Sequence, residues 1–197
     1  MHLPITTRLL PTIATFILSV MVCVSAWAQE IGIMQTSLYK ARQGQETGLY
    51  LSVSSDFDLP NGVEEALLRG VPLYFVMDFS LQRNRWYWFD KDVSNASLIS
   101  RLSYSPLTRQ FRLSRGGLSQ SFDSLNAALS VLNFVVDWKV SPQQYLDASK
   151  EYEAEVRLRL DIKQLPLPLQ VSIGASDWNL SSDWQAVTFD ADIHQPN

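Results

Sequence analysis

Apolar and polar residues alternate with a period of two along several stretches of the chain. Between residues 153 and 162, Ala154, Val156, Leu158, Leu160 and Ile162 alternate with Glu153, Glu155, Arg157, Arg159 and Asp161. That is the pattern of a strand with one face in a core and one charged face in water. Leu73, Phe75, Met77, Phe79 and Leu81 oppose Tyr74, Val76, Asp78 and Ser80 in the same way. Leu49, Leu51 and Val53 give a shorter example, and Val187, Phe189, Ala191 and Ile193 alternate with Thr188, Asp190, Asp192 and His194. Buried parallel strands would read as unbroken apolar runs, so these segments predict an antiparallel sheet with one wet face.

Two segments depart from that period. Over residues 58–70, Asp58 can cap a helix, Pro60 suits its first turn, Glu64 and Glu65 lie early, Arg69 lies late and Gly70 closes it. Over residues 124–133, Leu125, Ala128, Leu129 and Leu132 fall at helical spacing, with Ser121 or Asp123 as the cap. Arg115-Gly116-Gly117-Leu118 is a hairpin signal joining strands at 109–114 and 118–122. Pro166 and Pro168 confine residues 165–173 to an edge strand or an extended loop. The expected fold is mainly β, with α+β as the alternative: an antiparallel β-sandwich or strongly curved sheet carrying two short amphipathic helices.

The N-terminus reads differently from the rest. Arg8 ends a short first region, an apolar stretch runs from Leu9 to Val24, and Ala26-Trp27-Ala28 places small residues at the positions a signal peptidase needs. Residues 1–28 are therefore expected to be a secretory signal peptide cut after Ala28. An uncleaved anchor is the weaker reading, because Pro11 leaves only 17 residues, from Thr12 to Ala28, to span a bilayer. Val20-Met21-Val22 before Cys23 is too bulky for a lipid-attachment site. Cleavage leaves 169 of 197 residues as one β-rich domain, 29–197, with no stable transmembrane segment.

Removal of that peptide changes the available chemistry. The only cysteine goes with it, and the remaining chain keeps a single histidine, His194, near its end. Thiol catalysis, a Ser–His pair outside the tail and zinc sites built on nitrogen or sulfur are disfavoured. The eight glycines form no phosphate-cradling loop, and no cofactor is expected. Carboxylate pairs such as Asp90/Asp92 or Asp177/Asp183 remain as the basis for a hydrolase that works with carboxylates and hydroxyls alone, whereas Asp190/Asp192 sit on an exposed strand face. Pairs of that kind arise by chance in a chain with 20 acidic residues.

Charge is unevenly placed. The chain after residue 28 carries −5, but residues 83–115 hold seven basic residues against Asp90 and Asp92, leaving −10 for the remainder. Nothing in that balance draws the chain as a whole to nucleic acid. Arg83-Asn84-Arg85-Trp86-Tyr87-Trp88-Phe89 adds four consecutive aromatics, which as a strand put Trp86 and Trp88 on one side. They form either a stacking platform or ordinary core packing. Arg112 alternates with Phe111 and Leu113 and so faces solvent, while Arg109 and Arg115 have the opposite parity. Arg83, Arg85, Trp86, Trp88, Arg101 and Arg112 are the candidate contact surface, facing an envelope protein or an anionic surface. Trp178 and Trp184 bracket a polar loop, either a ligand loop or a crossover pinned to the core by its tryptophans.

Several motifs point to a known family. Gly70-Val-Pro-Leu-Tyr-Phe75, Arg85-Trp-Tyr-Trp88, Leu102-Ser-Tyr104, Leu107-Thr-Arg-Gln-Phe-Arg-Leu113, Phe122-Asp-Ser-Leu125, Arg157-Leu-Arg-Leu-Asp161 and Trp178-Asn-Leu-Ser-Ser-Asp-Trp184 occur in order. With them the chain, from about Ile31 to Phe189, resembles the proteobacterial exported proteins of domain of unknown function 4390, also labelled proline-rich signal peptide proteins. The resemblance implies export from a Gram-negative cell to the periplasm and supplies no activity, cofactor or catalytic residue. The resulting expectation is a non-enzymatic binding or interaction module of the cell envelope. The alternatives are a carboxylate hydrolase or a protein that associates with anionic lipid.

Overall fold

A computed structural model describes residues 31–43, 46–83, 91–142, 146, 151–166 and 178–190. The strands, in chain order, are β1 (Gly32–Gln43), β2 (Glu46–Asp56), β3 (Leu73–Arg83), β4 (Lys91–Ser105), β5 (Gln110–Arg115), β6 (Leu118–Phe122), β7 (Phe134–Ser141), β8 (Tyr152–Leu160) and β9 (Gln185–Ala186). Helix α1 (Asn61–Leu68) lies between β2 and β3, and α2 (Leu125–Leu132) between β6 and β7. They form two antiparallel sheets, ordered β1-β2-β7 and β6-β5-β4-β3-β8-β9. The fold is thus mostly β with two helices, as the alternation predicted.

The period-two residues are the ones that join the sheets. Leu73, Phe75, Met77, Phe79 and Leu81 on β3, Ala154, Val156, Leu158 and Leu160 on β8, and Leu49, Leu51 and Val53 on β2 are all buried in one cluster. Each large side chain buried this way contributes roughly 1.5–3 kcal/mol. Phe79 meets Trp138 of β7 edge-on at 6.4 Å, and Phe57 packs on Phe75 at 5.5 Å. The Ser94 hydroxyl of β4 donates to the Val140 carbonyl of β7 at 2.7 Å, a second tie between the sheets.

Four strands lie outside the expected segments: β1, β4, β7 and the two-residue β9. On β4 the inward positions include Ser94, Ala96 and Ser100 beside Leu98 and Leu102, so the apolar period is faint. On β7 a bulge opposite Leu51 and Val53 puts Asp137 at φ 55, and Phe134 and Val136 stay exposed. A bulge between Ile33 and Gln35 interrupts β1.

Other expectations need correcting in detail. Asp58 does not cap α1; Pro60 occupies the N-cap position with no side-chain cap, because it stands one residue ahead of the first turn. Neither Ser121 nor Asp123 caps α2; the Ser124 hydroxyl accepts from the Ala127 amide at 3.2 Å. Strand β5 starts at Gln110, not Arg109, because Arg109 takes φ 55 to close the preceding turn. The hairpin at Gly116-Gly117 forms as expected, with both glycines at positive φ, 56° and 84°. That is the turn whose twist matches the strands it joins.

Of the stretch expected as a C-terminal strand, residues 191–194 lie outside the described residues, and residues 187–190 make only an isolated bridge, Phe189 to Leu38; the ladder strand β9 is Gln185–Ala186, just before it. Residues 180–190 stitch the edges of both sheets together. Leu160 N–H donates to the Leu180 carbonyl and Ser182 N–H to the Leu158 carbonyl, both at 2.8 Å, along β8. Leu38 N–H donates to the Thr188 carbonyl and Asp190 N–H to the Leu38 carbonyl, both at 2.8 Å, along β1. One side of the sandwich is closed by this segment.

Candidate functional site

Alternation along β3, β4 and β5 sends every second residue of the large sheet outward, away from the small sheet. The registers set those residues in rows across the strands. One row runs Tyr74, Arg101, Ser114, Ser119; the next runs Ser103, Arg112, Ser121. Arg101 and Arg112 are therefore diagonal neighbours on adjacent strands, with Cα atoms about 7–8 Å apart. Both side chains are exposed.

They line one polar cleft of about 340 Å³, together with Gly70, Ser103, Tyr104, Ser105, Thr108, Gln110 and Ser121. Gly70 reaches it because φ 91 turns the chain sharply out of α1. Arg101 stands over the Tyr74 ring, its guanidinium carbon 6.0 Å from the centroid. Neither arginine makes an ion pair with a carboxylate among the described residues. Two cations and the hydroxyls of Ser103, Ser105, Thr108 and Ser121 can together hold an anionic group bearing several oxygens. Among the described residues, no carboxylate or histidine lines the cleft.

The other basic residues have different fates. Arg83 lies at the far end of β3, nine residues from Tyr74 and so roughly 30 Å from the cleft. Arg85, Trp86 and Trp88 lie outside the described residues, as do Asp90, Asp177, Asp192 and His194. Arg115 turns inward, as its parity required. Its Nε donates to the Ser100 hydroxyl at 2.8 Å, and its two terminal nitrogens to the carbonyls of Phe134 at 2.9 Å and Leu132 at 3.0 Å. Burial pushes that guanidinium below its ordinary pKa.

Farther along the same outer face, Arg157 and Arg159 converge on Asp78, at 3.2 and 2.8 Å. Burial raises the Asp78 carboxyl, but hydrogen bonds from Arg159, Ser97 and Arg157 and the charge of Arg159 outweigh it and hold the group below its usual range. Arg157 also stacks on Trp184 at 4.5 Å, while Trp178 packs against the core. The polar loop between the tryptophans is pinned along β8, through Leu180 and Ser182, and is not an open ligand loop. The charges of these two arginines are paired with Asp78, although Arg157 Nε is buried without a hydrogen-bond partner. Arg101 and Arg112 have no carboxylate partner among the described residues.

The hydroxyls of the cleft escaped the sequence reading because β4 did. Once Ser103 is set opposite Arg112 and Ser121, the row is a direct consequence of register. Among the described residues, no three His, Cys, Asp or Glu side chains gather as metal ligands, and no helix is long and apolar enough to cross a membrane.

A family model described as Domain of unknown function (DUF4390) matches residues 28–188. No curated protein and no solved structure matches the chain.

Proposed function

Because the chain belongs to the DUF4390 family, whose description names no activity, we propose a function from its own surface: an exported, non-enzymatic binding module of the cell envelope that holds an anionic partner at Arg101 and Arg112. The observation that carries this reading is the pair of arginines with no carboxylate partner among the described residues, in a hydroxyl-lined cleft. Arg157 and Arg159 are neutralised within the fold, on Asp78. Arg101 and Arg112, beside Ser103, Thr108 and Ser121, suit an incoming phosphate or carboxylate.

Export rests on the N-terminal pattern, from Arg8 through the apolar stretch to Ala26-Trp27-Ala28. N-terminal sequencing of the protein from the periplasm of an expressing Gram-negative cell is expected to begin at Gln29. A product that retains residues 1–28 overturns that part.

The binding reading is tested in the same cells with a photo-reactive residue at Ser105, on the rim of the cleft. Cross-linked adducts are expected with the wild-type surface and lost in Arg101→Glu/Arg112→Glu. Vesicles of phosphatidylglycerol, set against phosphatidylcholine, separate a lipid headgroup from an acidic protein as the source of the anion. Lipid binding would fall steeply with salt. Adducts and vesicle binding that are unchanged in the double variant refute the assignment.

A further inference from the structure

The two edges of the large sheet are treated differently. The β8 edge is covered by residues 180–187, whereas β6 pairs only with β5 and no other strand among the described residues meets its outer side. Natural edge strands are normally blunted by charge, proline, a bulge or a cover. Leu118-Ser119-Gln120-Ser121-Phe122 has no charge or proline, its register is unbroken, and Leu118 is 80% exposed.

That segment is also self-complementary. Paired antiparallel with itself about Gln120, it sets Leu118 opposite Phe122, Ser119 opposite Ser121, and Gln120 opposite Gln120. The hairpin decides whether the backbone agrees. In a two-residue turn the flanking residues, Arg115 and Leu118, form a hydrogen-bonded pair, and bonding then alternates along the strand. Leu118, Gln120 and Phe122 spend their N–H and C=O groups on β5, so Ser119 and Ser121 point theirs outward. A register centred on Gln120 joins exactly those groups.

We propose that β6 pairs with β6 of a second copy in this register, extending the large sheet across a twofold axis. Side chains on directly opposed residues share a face, so the exposed Leu118 is covered by Phe122 of the second copy. On the outer face, Arg112 and Ser121 continue into Ser119, Ser114 and Arg101 of the second copy. Four strand spacings, roughly 19 Å, separate the two arginines along that serine-lined row. The pairing stands apart from what the cleft binds, and its test reads mass and register, not ligand.

The test uses the chain purified from the periplasm, which on the cleavage proposed above begins at Gln29 and carries no cysteine of its own. Sedimentation is expected to show a monomer–dimer equilibrium that Gln120→Lys abolishes, since the two ammonium groups would face each other on the axis. Mixing Gln120→Lys with Gln120→Glu is expected to restore the dimer, which shows that each variant is folded. Gln120→Cys is expected to cross-link on oxidation, because residues opposed in an antiparallel pair lie within disulfide range. Ser119→Cys, two residues out of register with itself, is expected to cross-link several-fold less. A wild type that stays monomeric as concentration rises overturns the proposal, including the case in which only a foreign strand binds β6. So does a Gln120→Lys chain that dimerises unchanged, or preferential cross-linking at Ser119.

Discussion

Replacing Arg115 with alanine tests how the large sheet holds α2 and β7. Its guanidinium spans three carbonyls, those of Val131 and Leu132 in the last turn of α2 and Phe134 at the start of β7, and its Nε holds the buried Ser100 hydroxyl. Carbonyls at a helix C-terminus have no partner within the helix, and they carry the negative end of its dipole. A charged donor there is worth more than a neutral one, about 1.5–3 kcal/mol per hydrogen bond. Two effects reduce the sum. Burying the guanidinium costs part of the gain, as its lowered pKa shows, and water can reach the Phe134 carbonyl once the side chain is gone. The net loss is expected to be about 2–3 kcal/mol, which lowers the melting temperature by roughly 4–12 °C. Arg115→Lys keeps the charge but not the planar fork, and is expected to lose about 1–2 kcal/mol. Urea unfolding followed by circular dichroism measures both, with hydrogen exchange at the Leu132 and Asn133 amides as a local probe. An alanine variant within about 0.5 kcal/mol of wild type, the scatter of ordinary surface substitutions, would refute the reasoning.

Asp78 gives a pH signature. Its folded pKa lies below its ordinary value, so its contribution is complete above the unfolded carboxyl pKa of about 4 and disappears as pH falls through the folded value. The stability gap between wild type and Asp78→Asn, about 1–2 kcal/mol at neutral pH for a partly exposed pair, should therefore close in acid; urea midpoints as a function of pH check it. Tyr39 has the opposite dependence. Burial and its hydrogen bond to Asp137 raise its pKa, so its contribution is present below pH of about 10 and fades as pH rises through the folded value. Alkaline titration of phenolate absorbance in wild type and Tyr39→Phe should show one late-titrating tyrosine missing from the variant. Gly48 sits where β2 and β7 approach so closely that an added Cβ would lie 2.5 Å from the Ser141 carbonyl oxygen. Gly48→Ala should cost about 1–3 kcal/mol, read from the thermal midpoint.

Legibility followed how many inward positions are apolar and unbroken. On β3 from Leu73 to Leu81, and on β8 from Ala154 to Leu160, every inward residue is apolar, and those strands are plain in the sequence. On β4, Ser94 and Ser100 point inward because each has a partner there, the Val140 carbonyl and the Arg115 guanidinium. A hydrophobic period registers neither. On β7 the Asp137 bulge shifts parity midway, and the exposed Phe134 and Val136 supply apolar residues on the wrong side. Residues 187–190 alternate properly yet bridge two sheet edges, since alternation reports which way side chains point and not whether a ladder forms beside them.

The arginines show what the sequence could and could not say about the site. Parity marked Arg112 as solvent-facing and set Arg115 apart from it; in the structure Arg112 is exposed and Arg115 turns inward onto Ser100. Net charge treated all basic residues between 83 and 115 as one group. Their positions along the strands divide them, because Arg83 and Arg101 stand at opposite ends of the β3–β4 ladder. Whether an arginine is free depends on what lies across from it, and that is a property of register. Asp78 falls opposite Arg157 and beside Arg159, whereas Arg112 falls between Ser103 and Ser121 and Arg101 between Tyr74 and Ser114. A pair of cations with no carboxylate partner among the described residues therefore arises from two rows in which the neighbours are hydroxyls and a ring. Placing aspartate at Ser103 would supply the missing partner from within, and Ser103→Asp should abolish anion binding at the cleft while leaving the fold intact.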